Sequence, residues 1–516
     1  MICYQQFERE IDRIMEPLSA VLGIFALLML VSLLSSKLSG IINMPCLLLF
    51  LAIGLVAGSD LLGTHQISIS SAVLANYIGS VSMAFILFSG GFDTQAKSVK
   101  SVLTTGGLLS SLGVLLTALF SGGFIWLLGR YLFPDRQIPI SWCLLLGSII
   151  SSTDAAAVFS ILRSRSVSLK GQLQPLLEFE SGSNDPMAAL LTLFMLDVAM
   201  RECRTGLDVS WKEYGWILPY FLWKMSIGLT VGYLLGRMAV WLYNKINFDY
   251  NGLYYALGIV IVMLTYSTAE SATGNGFMAV YTAGMVMGNR RFVFHNGLGR
   301  FYDGFAWIMQ VILFTMLGVL AEPHLVWQVK WVGLSVAVFL MFAARPLAVA
   351  ICMIRSPFTL QERLLTCWVG LRGGAPIMLA TFPLMNKLPQ SDLMFHIVFF
   401  IVLTSILLQG MTIMPLARLL NLAGPLRKIL RVPLSFEETG DTNSDFRELP
   451  VPPGRIGQSL KELRLPTGAL VLLIRRNDRF VVPRGETKLE ADDVLTLMGT
   501  PEAIRQSEEQ LLTPEG

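Results

Sequence analysis

The apolar positions of this chain fall in long blocks, not in the narrow stripes of a soluble fold. A helix needs about 20 apolar residues to cross a bilayer. On that scale the sequence predicts spans near 17–36, 41–60, 72–91, 102–128, 138–162, 173–199, 214–243, 251–269, 272–289, 304–321, 328–354, 363–386 and 393–420. The pattern stops at Leu420. The stretch NLAGPLRKILRVPLSFEETGDTNSD is polar and punctuated by Pro and Gly, which predicts a linker. From about Phe446 the periodicity is that of soluble elements. RELPV, ALVLLIRR, RFVVPRG and DVLTLMGT predict strands, with a turn at Asn477–Asp478. IGQSLKEL predicts an amphipathic helix, and PEAIRQSEEQLL a closing one. The expected division is a membrane domain over 1–424, a linker over 425–445 and a small α+β domain over 446–516.

Composition agrees with this division. The chain has 516 residues, 53% hydrophobic and 15% charged, with a mean hydropathy of +0.60. A soluble domain has about 25% charged residues, so the chain is read as an all-α polytopic membrane protein with a small α+β appendage. The net charge of +3 leaves no basic footprint for nucleic acid. The six cysteines show neither CxxC nor metal spacing and read as small core residues. The N-terminal residues carry acids and lack the layout of a cleaved signal peptide, so the first span is expected to act as its own insertion signal. Loop Lys and Arg favour the side that holds the C-terminal domain. Lys37, Lys97, Lys100, Arg163, Arg165, Lys170, Lys245, Arg290, Arg291, Arg300, Arg355 and Arg363 lie there, against Arg130, Arg136, Arg201, Arg204, Lys212, Lys330 and Lys387 opposite. The bias predicts a cytoplasmic C-terminus, although Arg9 and Arg13 fall on the outer side.

Against this apolar background, Gly147–Phe194 stands out. Its two segments, GSIISSTDAAAVFS and LLEFESGSNDPMAALLTLF, each carry an aspartate, Asp154 and Asp185. A carboxylate at the bilayer centre costs roughly 2.5–3.5 kcal/mol on insertion scales. Thr153 stands beside Asp154, Asn184 beside Asp185, and Ser181 one turn earlier on the Asp185 face. Asp185 is the candidate exchanging group, because a carboxylate in a partly dry cavity can hold either a proton or a cation. Thr153, Asp154 and Ser181 would supply further oxygens for a monovalent cation. The competing reading of Asp185 is a structural pair with an arginine. Glu180, five residues from Asp185, points elsewhere and is expected to pair with Arg372 in a structural role.

A second interruption is expected at VGLRGGAPIMLATFP, around Arg372. Broken helices are tolerated in a membrane only where they line a cavity. The two interruptions lie in the fifth and twelfth spans, corresponding positions of two six-span halves. That is the pattern of inverted-repeat transporters with crossing discontinuous helices. Asp154 and Arg372 would compensate the helix ends there. An ordinary glycine-rich packing interface explains the glycines but not the charges. Arg345, before Pro346, is expected either to brace the core or to snorkel. Two further readings compete: an intramembrane aspartyl protease, which would want a GxGD sequence that is absent around either aspartate, and a cation channel, for which no short re-entrant filter is evident.

TDAAAV, FESGSNDPMA, GNGFMAVYTAGMVMGNRR and WVGLRGGAPIMLATFP resemble, in order and spacing, the NhaP-type members of the monovalent cation/proton antiporter-1 group. The resemblance covers roughly residues 17–420. The C-terminal RELPV…PRGETKLEADDVLTLMGT stretch is similar to TrkA-C, the C-terminal subdomain of regulator-of-potassium-conductance proteins. Together they look most like the potassium/proton branch with a regulatory tail. The resemblance implies a homodimer in the bacterial cytoplasmic membrane, a thirteen-helix fold and elevator-like alternating access. It implies an exchanger rather than an enzyme, moving potassium or sodium against protons and needing no cofactor. It places the cation and proton at Asp185, with Asp154, Thr153, Ser181 and Asn184 nearby, and implies electroneutral exchange from the Asn184–Asp185 pair. It also implies a Glu180–Arg372 ion pair, and a nucleotide or other regulator on the tail. Where the family often has an acidic residue in ILFSGGFD, this chain has Ser89, leaving Asp93 one turn on as an accessory carboxylate.

Overall fold

The computed structural model describes residues 19, 22–37, 44–58, 72–132, 138–154, 158–159, 162, 167–205, 215–425, 445–476 and 479–512. Apolar blocks fold as helices because a backbone in lipid must satisfy its own hydrogen bonds. In chain order the helices are α1 (Leu22–Lys37), α2 (Cys46–Ala57), α3 (Ala72–Asp93), α4 (Ala96–Leu108), α5 (Val114–Leu132), α6 (Ile140–Ile149) and α7 (Leu173–Thr205). Then follow α8 (Ile217–Lys245), α9 (Gly252–Ser271), α10 (Gly276–Gly288), α11 (His295–Leu320), α12 (Pro323–Gln328) and α13 (Lys330–Phe339). α14 (Arg345–Cys352), α15 (Leu360–Trp368), α16 (Gly374–Met385) and α17 (Ser391–Leu419) complete the membrane part. Among the described residues, seven helices are long and apolar enough to cross a bilayer, and five shorter apolar ones accompany them. With the polar-interrupted α7, they match the thirteen expected spans one for one.

Internal symmetry shows in the irregularities. α4 runs into α5 through a π-helical turn at Leu109–Gly113, and α13 into α14 through another at Leu340–Ala344. These turns fall in the fourth and eleventh spans, directly before the two interrupted ones. Each has a local cause. Ser110 and Ser111 both bond back to the Gly107 carbonyl, and Pro346 lacks the N–H that a regular helix would use there. One set of helices packs α2, α3 and α8–α11 together. Within it α3 and α10 meet backbone to backbone: a Cβ on Gly284 would stand 2.3 Å from the Phe88 carbonyl oxygen, and one on Gly288 1.9 Å from that of Phe92. The other set packs α4–α7 with α13–α17 and carries both interrupted segments. Two short strands, β1 (Val167–Leu169) and β2 (Ala423–Pro425), pair antiparallel and fasten the chain leaving α17 to the segment preceding α7.

The chain divides into two compact units, Met1–Ser435 and Phe436–Gly516. In the second, β3 (Asp445–Pro450), β4 (Ala469–Arg476), β5 (Arg479–Val481) and β6 (Val494–Gly499) form an antiparallel sheet in the order β3-β6-β4-β5, followed by α18 (Pro501–Leu512). The expected turn residues Asn477 and Asp478 lie outside the described residues, but Arg476 and Arg479 pair across them. IGQSLKEL is not a helix. Ser459 bridges Lys488, and the amides of Gly457, Leu460 and Lys461 bond to the carbonyls of Leu489, Thr487 and Gly485. Cross-chain pairing takes the donors that a helical turn would need. Arg476 binds both carboxylate oxygens of the buried Asp493, at 3.0 and 2.8 Å, and the Glu490 carboxylate at 2.5 Å. The Asp493 hydrogen bonds hold its guanidinium above its ordinary pKa.

Candidate functional site

Two interrupted helices form the site. α6 closes at Ile149, and Ser152–Asp154 are not helical. The run ISST favours this, since hydroxyl side chains offer the backbone alternative partners; Ser151 Oγ donates to the Ser148 carbonyl at 2.6 Å. Opposite, α15 closes at Trp368, and Gly370–Gly373 lead without helix into α16. The interruptions touch. The Asp154 amide donates to the Leu371 carbonyl at 2.7 Å.

Arg372, fully buried, donates from Nη1 to the carbonyls of Ser151 (2.6 Å) and Ser152 (2.5 Å). Those carbonyls end the α6 segment, where the helix dipole is negative and acceptors lack helical partners. The Arg372 amide donates to Ser405 Oγ at 3.0 Å. Ser405 Oγ donates to Gln409 Oε1 at 2.5 Å, and Gln409 Nε2 to the Trp368 carbonyl at 2.9 Å. α17 thus braces the second interruption from behind.

α7 presents its polar face to the first interruption. Ser181 Oγ donates to the Thr153 carbonyl at 3.0 Å, Asn184 Nδ2 to Thr153 Oγ1, and Ser152 Oγ to Asp185 Oδ1. Pro186 follows Asp185 inside the helix and has no N–H, so the Gly182 carbonyl lacks its usual helical donor. Asp154, Ser181, Gly182 and Asp185 line a cavity of about 270 Å³. Ser89, Asp93, Glu178, Tyr281 and Asp303 also line it, with Asp93 and Asp303 exposed. The carboxylates and hydroxyls among these residues offer oxygen ligands, which suit a hard cation.

One pairing differs from expectation. Glu180 does not take Arg372: its Oε1 lies 2.6 Å from Arg345 Nη2, both side chains being buried. Arg345 also reaches the Thr366 carbonyl at 3.4 Å, so it braces the core and does not snorkel. The reason is the helix end: the Ser151 and Ser152 carbonyls already occupy Arg372, whereas Arg345 follows the π-turn that aims it inward. Three residues of the site, Ser152, Ser405 and Gln409, escaped the sequence reading. Ser152, which holds Asp185, could not be selected within SSTD because an unwound segment has no side-chain period. Ser405 and Gln409 lie in an apolar span and read there as packing.

Gly373 sits where no side chain fits. A Cβ there would stand 1.9 Å from Asp154 Oδ2. Gly373→Ala is therefore expected to push the Asp154 carboxylate from its place and lower exchange at least about tenfold, the usual cost of displacing a site by an ångström or less being larger still. Initial flux at equal amounts of folded protein measures it; flux equal to the parent's would show that Asp154 can relocate.

Comparison with known proteins agrees with this geometry. Residues 23–419 match the family model of the sodium/hydrogen exchanger transmembrane domain, and 446–512 match the TrkA-C domain. The chain is 37% identical over 412 residues to the K(+)/H(+) antiporter NhaP of Alkalimonas amylolytica, covering 80% of this chain and 68% of that one. It is 33% identical over 489 residues to the K(+)/H(+) antiporter NhaP2 of Shewanella oneidensis, covering 93% and 81%. Its structure matches that of the sodium proton antiporter MjNhaP1 from Methanocaldococcus jannaschii with a TM-score of 0.64 at 24% identity, over 76% of this chain and 99% of the other. With interrupted helices crossing beside Asp154 and Asp185, and a TrkA-C domain following in the sequence, the chain is an integral membrane protein of the sodium/hydrogen exchanger family, a transporter and not an enzyme.

Proposed function

We propose that the protein exchanges potassium for protons across the bacterial cytoplasmic membrane, electroneutrally, with Asp185 as the carrier. The observation that carries this reading is the placement of Asp185: a membrane carboxylate held by the Ser152 hydroxyl, next to Asp154, on the wall of a cavity. One carboxylate that binds either a proton or a cation moves one charge in each direction. Asp154, Ser181 and the Gly182 carbonyl would complete the oxygen set for the cation. Thr153 and Asn184 hold the site's shape, since each is bonded to the other. Asp93 replaces, at the cavity's exposed end, the charge that Ser89 lacks.

Potassium is chosen over sodium because the relatives at 32–37% identity carry potassium/proton names; a sodium/proton antiporter NhaP of Pseudomonas aeruginosa is 28% identical over 368 residues. The test is proton flux from proteoliposomes driven in turn by potassium, sodium, lithium and choline. Potassium-driven flux that is insensitive to a clamped membrane potential is expected. Sodium-only flux would transfer the reading to sodium, and flux that follows potential would end the electroneutral one.

The C-terminal domain is proposed to face the cytoplasm, to bind a nucleotide or similar regulator, and to support a homodimer. Leu470 and Phe480 are exposed on its sheet, an apolar surface suited to a second copy. Deleting residues 446–516 is expected to alter the pH or ligand dependence of exchange while the membrane domain still transports. Unchanged dependence, by the same flux assay, would remove the regulatory reading.

A further inference from the structure

The two sets of helices meet along a shared wall. On one side stand α3 and α10, locked to each other through Gly284 and Gly288. On the other stand α7 and α16, which carry Asp185 and follow Arg372. Where they meet, a glycine faces a large side chain. The Tyr281 ring lies on Gly182, where a Cβ would come within 2.3 Å of it, and the Met378 side chain lies on Gly79, where the figure is 2.8 Å.

Among the described residues, two side-chain hydrogen bonds between fully buried residues cross this wall to the site-bearing helices. Asn275 Nδ2 donates to the Pro186 carbonyl at 2.8 Å, one residue beyond Asp185. Asn76 Nδ2 donates to Thr381 Oγ1 at 2.9 Å. All four residues are buried. Asn275 is fixed to its own side twice over: its Oδ1 caps α10 by accepting from the Met278 amide at 3.0 Å, and its amide donates to the Lys224 carbonyl of α8 at 3.1 Å. Thr381 is fixed to α16, since its hydroxyl donates to the Met378 carbonyl at 2.6 Å. Each bond is therefore a link between two internally rigid pieces.

We propose that Asn275 and Asn76 are positioning residues that latch the Asp185-bearing helices in the access state seen here, and that both bonds break when the site turns to the other side of the membrane. The inference rests on the antiport reading. It adds which residues set the balance between the two access states. A buried polar group that loses its partner in one state shifts the balance toward the state in which no such bond is required. Removing a latch therefore weakens apparent cation affinity on the cavity side and strengthens it on the opposite side.

The experiment uses the full-length protein in oriented proteoliposomes, with half-saturating potassium measured separately from each face. Asn275→Ser keeps an oxygen to cap α10 and loses the amide donor. Asn76→Ala and Thr381→Val remove the second bond from either end. Each single substitution is expected to change the ratio of the two half-saturation values about fivefold, as one neutral hydrogen bond does. The Asn76→Ala/Thr381→Val double variant should change it no more than either single one, because the two share one bond. Thr381→Ser retains the hydroxyl and should keep the parent ratio. An unchanged ratio in Asn275→Ser and Thr381→Val, or additive effects in the double variant, overturns the proposal. If Asn275→Ser fails to fold, the Thr381 arm decides. Parent protein that moves no potassium against protons would instead overturn the antiport reading, which keeps the two failures apart.

Discussion

Asp185→Asn is expected to reduce cation-driven proton flux to that of protein-free vesicles while the protein remains folded. The substitution keeps the shape and leaves an oxygen to accept from Ser152 Oγ, so the α7 contact with the first interruption can persist. What it removes is the only chemistry the exchange needs, a group that is neutral with a proton and anionic with a cation. An amide does neither at any physiological pH. Folding should not suffer, because a neutral amide of the same shape costs less to desolvate than a carboxylate. Thermal unfolding in detergent should give a midpoint equal to or above the parent's. Residual exchange in a folded Asp185→Asn protein would move the carrier role to Asp154, whose carboxylate lies on the same cavity wall.

The second large effect concerns stability. Glu180 is the near partner of Arg345, at 2.6 Å, in the same buried region as Arg372. Removing one member of a buried ion pair leaves an uncompensated charge and costs roughly 3–5 kcal/mol. Glu180→Gln is expected to cost at least that, because it leaves the buried Arg345 guanidinium without its acid, in the same region as the buried Arg372. Replacing both partners, Glu180→Leu with Arg345→Met, should recover much of the loss, since apolar residues of similar volume substitute well for a buried pair. Unfolding midpoints of the two variants against the parent measure this. A Glu180→Gln protein as stable as the parent would show that Arg345 does not depend on Glu180 for its burial.

The two effects separate the site into an ion-facing part and a frame. Asp185, Asp154 and the oxygens around them meet the cavity, whereas Glu180, Arg345, Arg372, Ser405 and Gln409 are buried behind it. The frame explains how an unwound crossing survives in lipid. The carbonyls of Ser151, Ser152, Thr153 and Leu371 find donors in Arg372, Ser181 and the Asp154 amide, so these unwound carbonyls are bonded before any ion arrives.

Apolar run length fixed the number and order of spans, because hydrocarbon accepts only a self-satisfied helix of bilayer length. Charge within those runs marked Asp154, Asp185, Glu180, Arg345 and Arg372, because each is too costly there to be accidental. The glycines around Arg372 and the hydroxyls around Asp154 marked both interruptions. Partner choice was not legible. Glu180 could reach either arginine by sequence, and only the π-turn before Arg345 and the free carbonyls after α6 decided between them. Ser152 emerged as the Asp185 partner only once α7 lay against the unwound segment. Asn275 and Asn76 became meaningful only when the two sets of helices faced each other. Sequence alone determined what must be buried, since that depends on each residue's own transfer cost. Tertiary structure decided which buried groups meet, since hydrogen bonds depend on direction and distance between segments that composition cannot place.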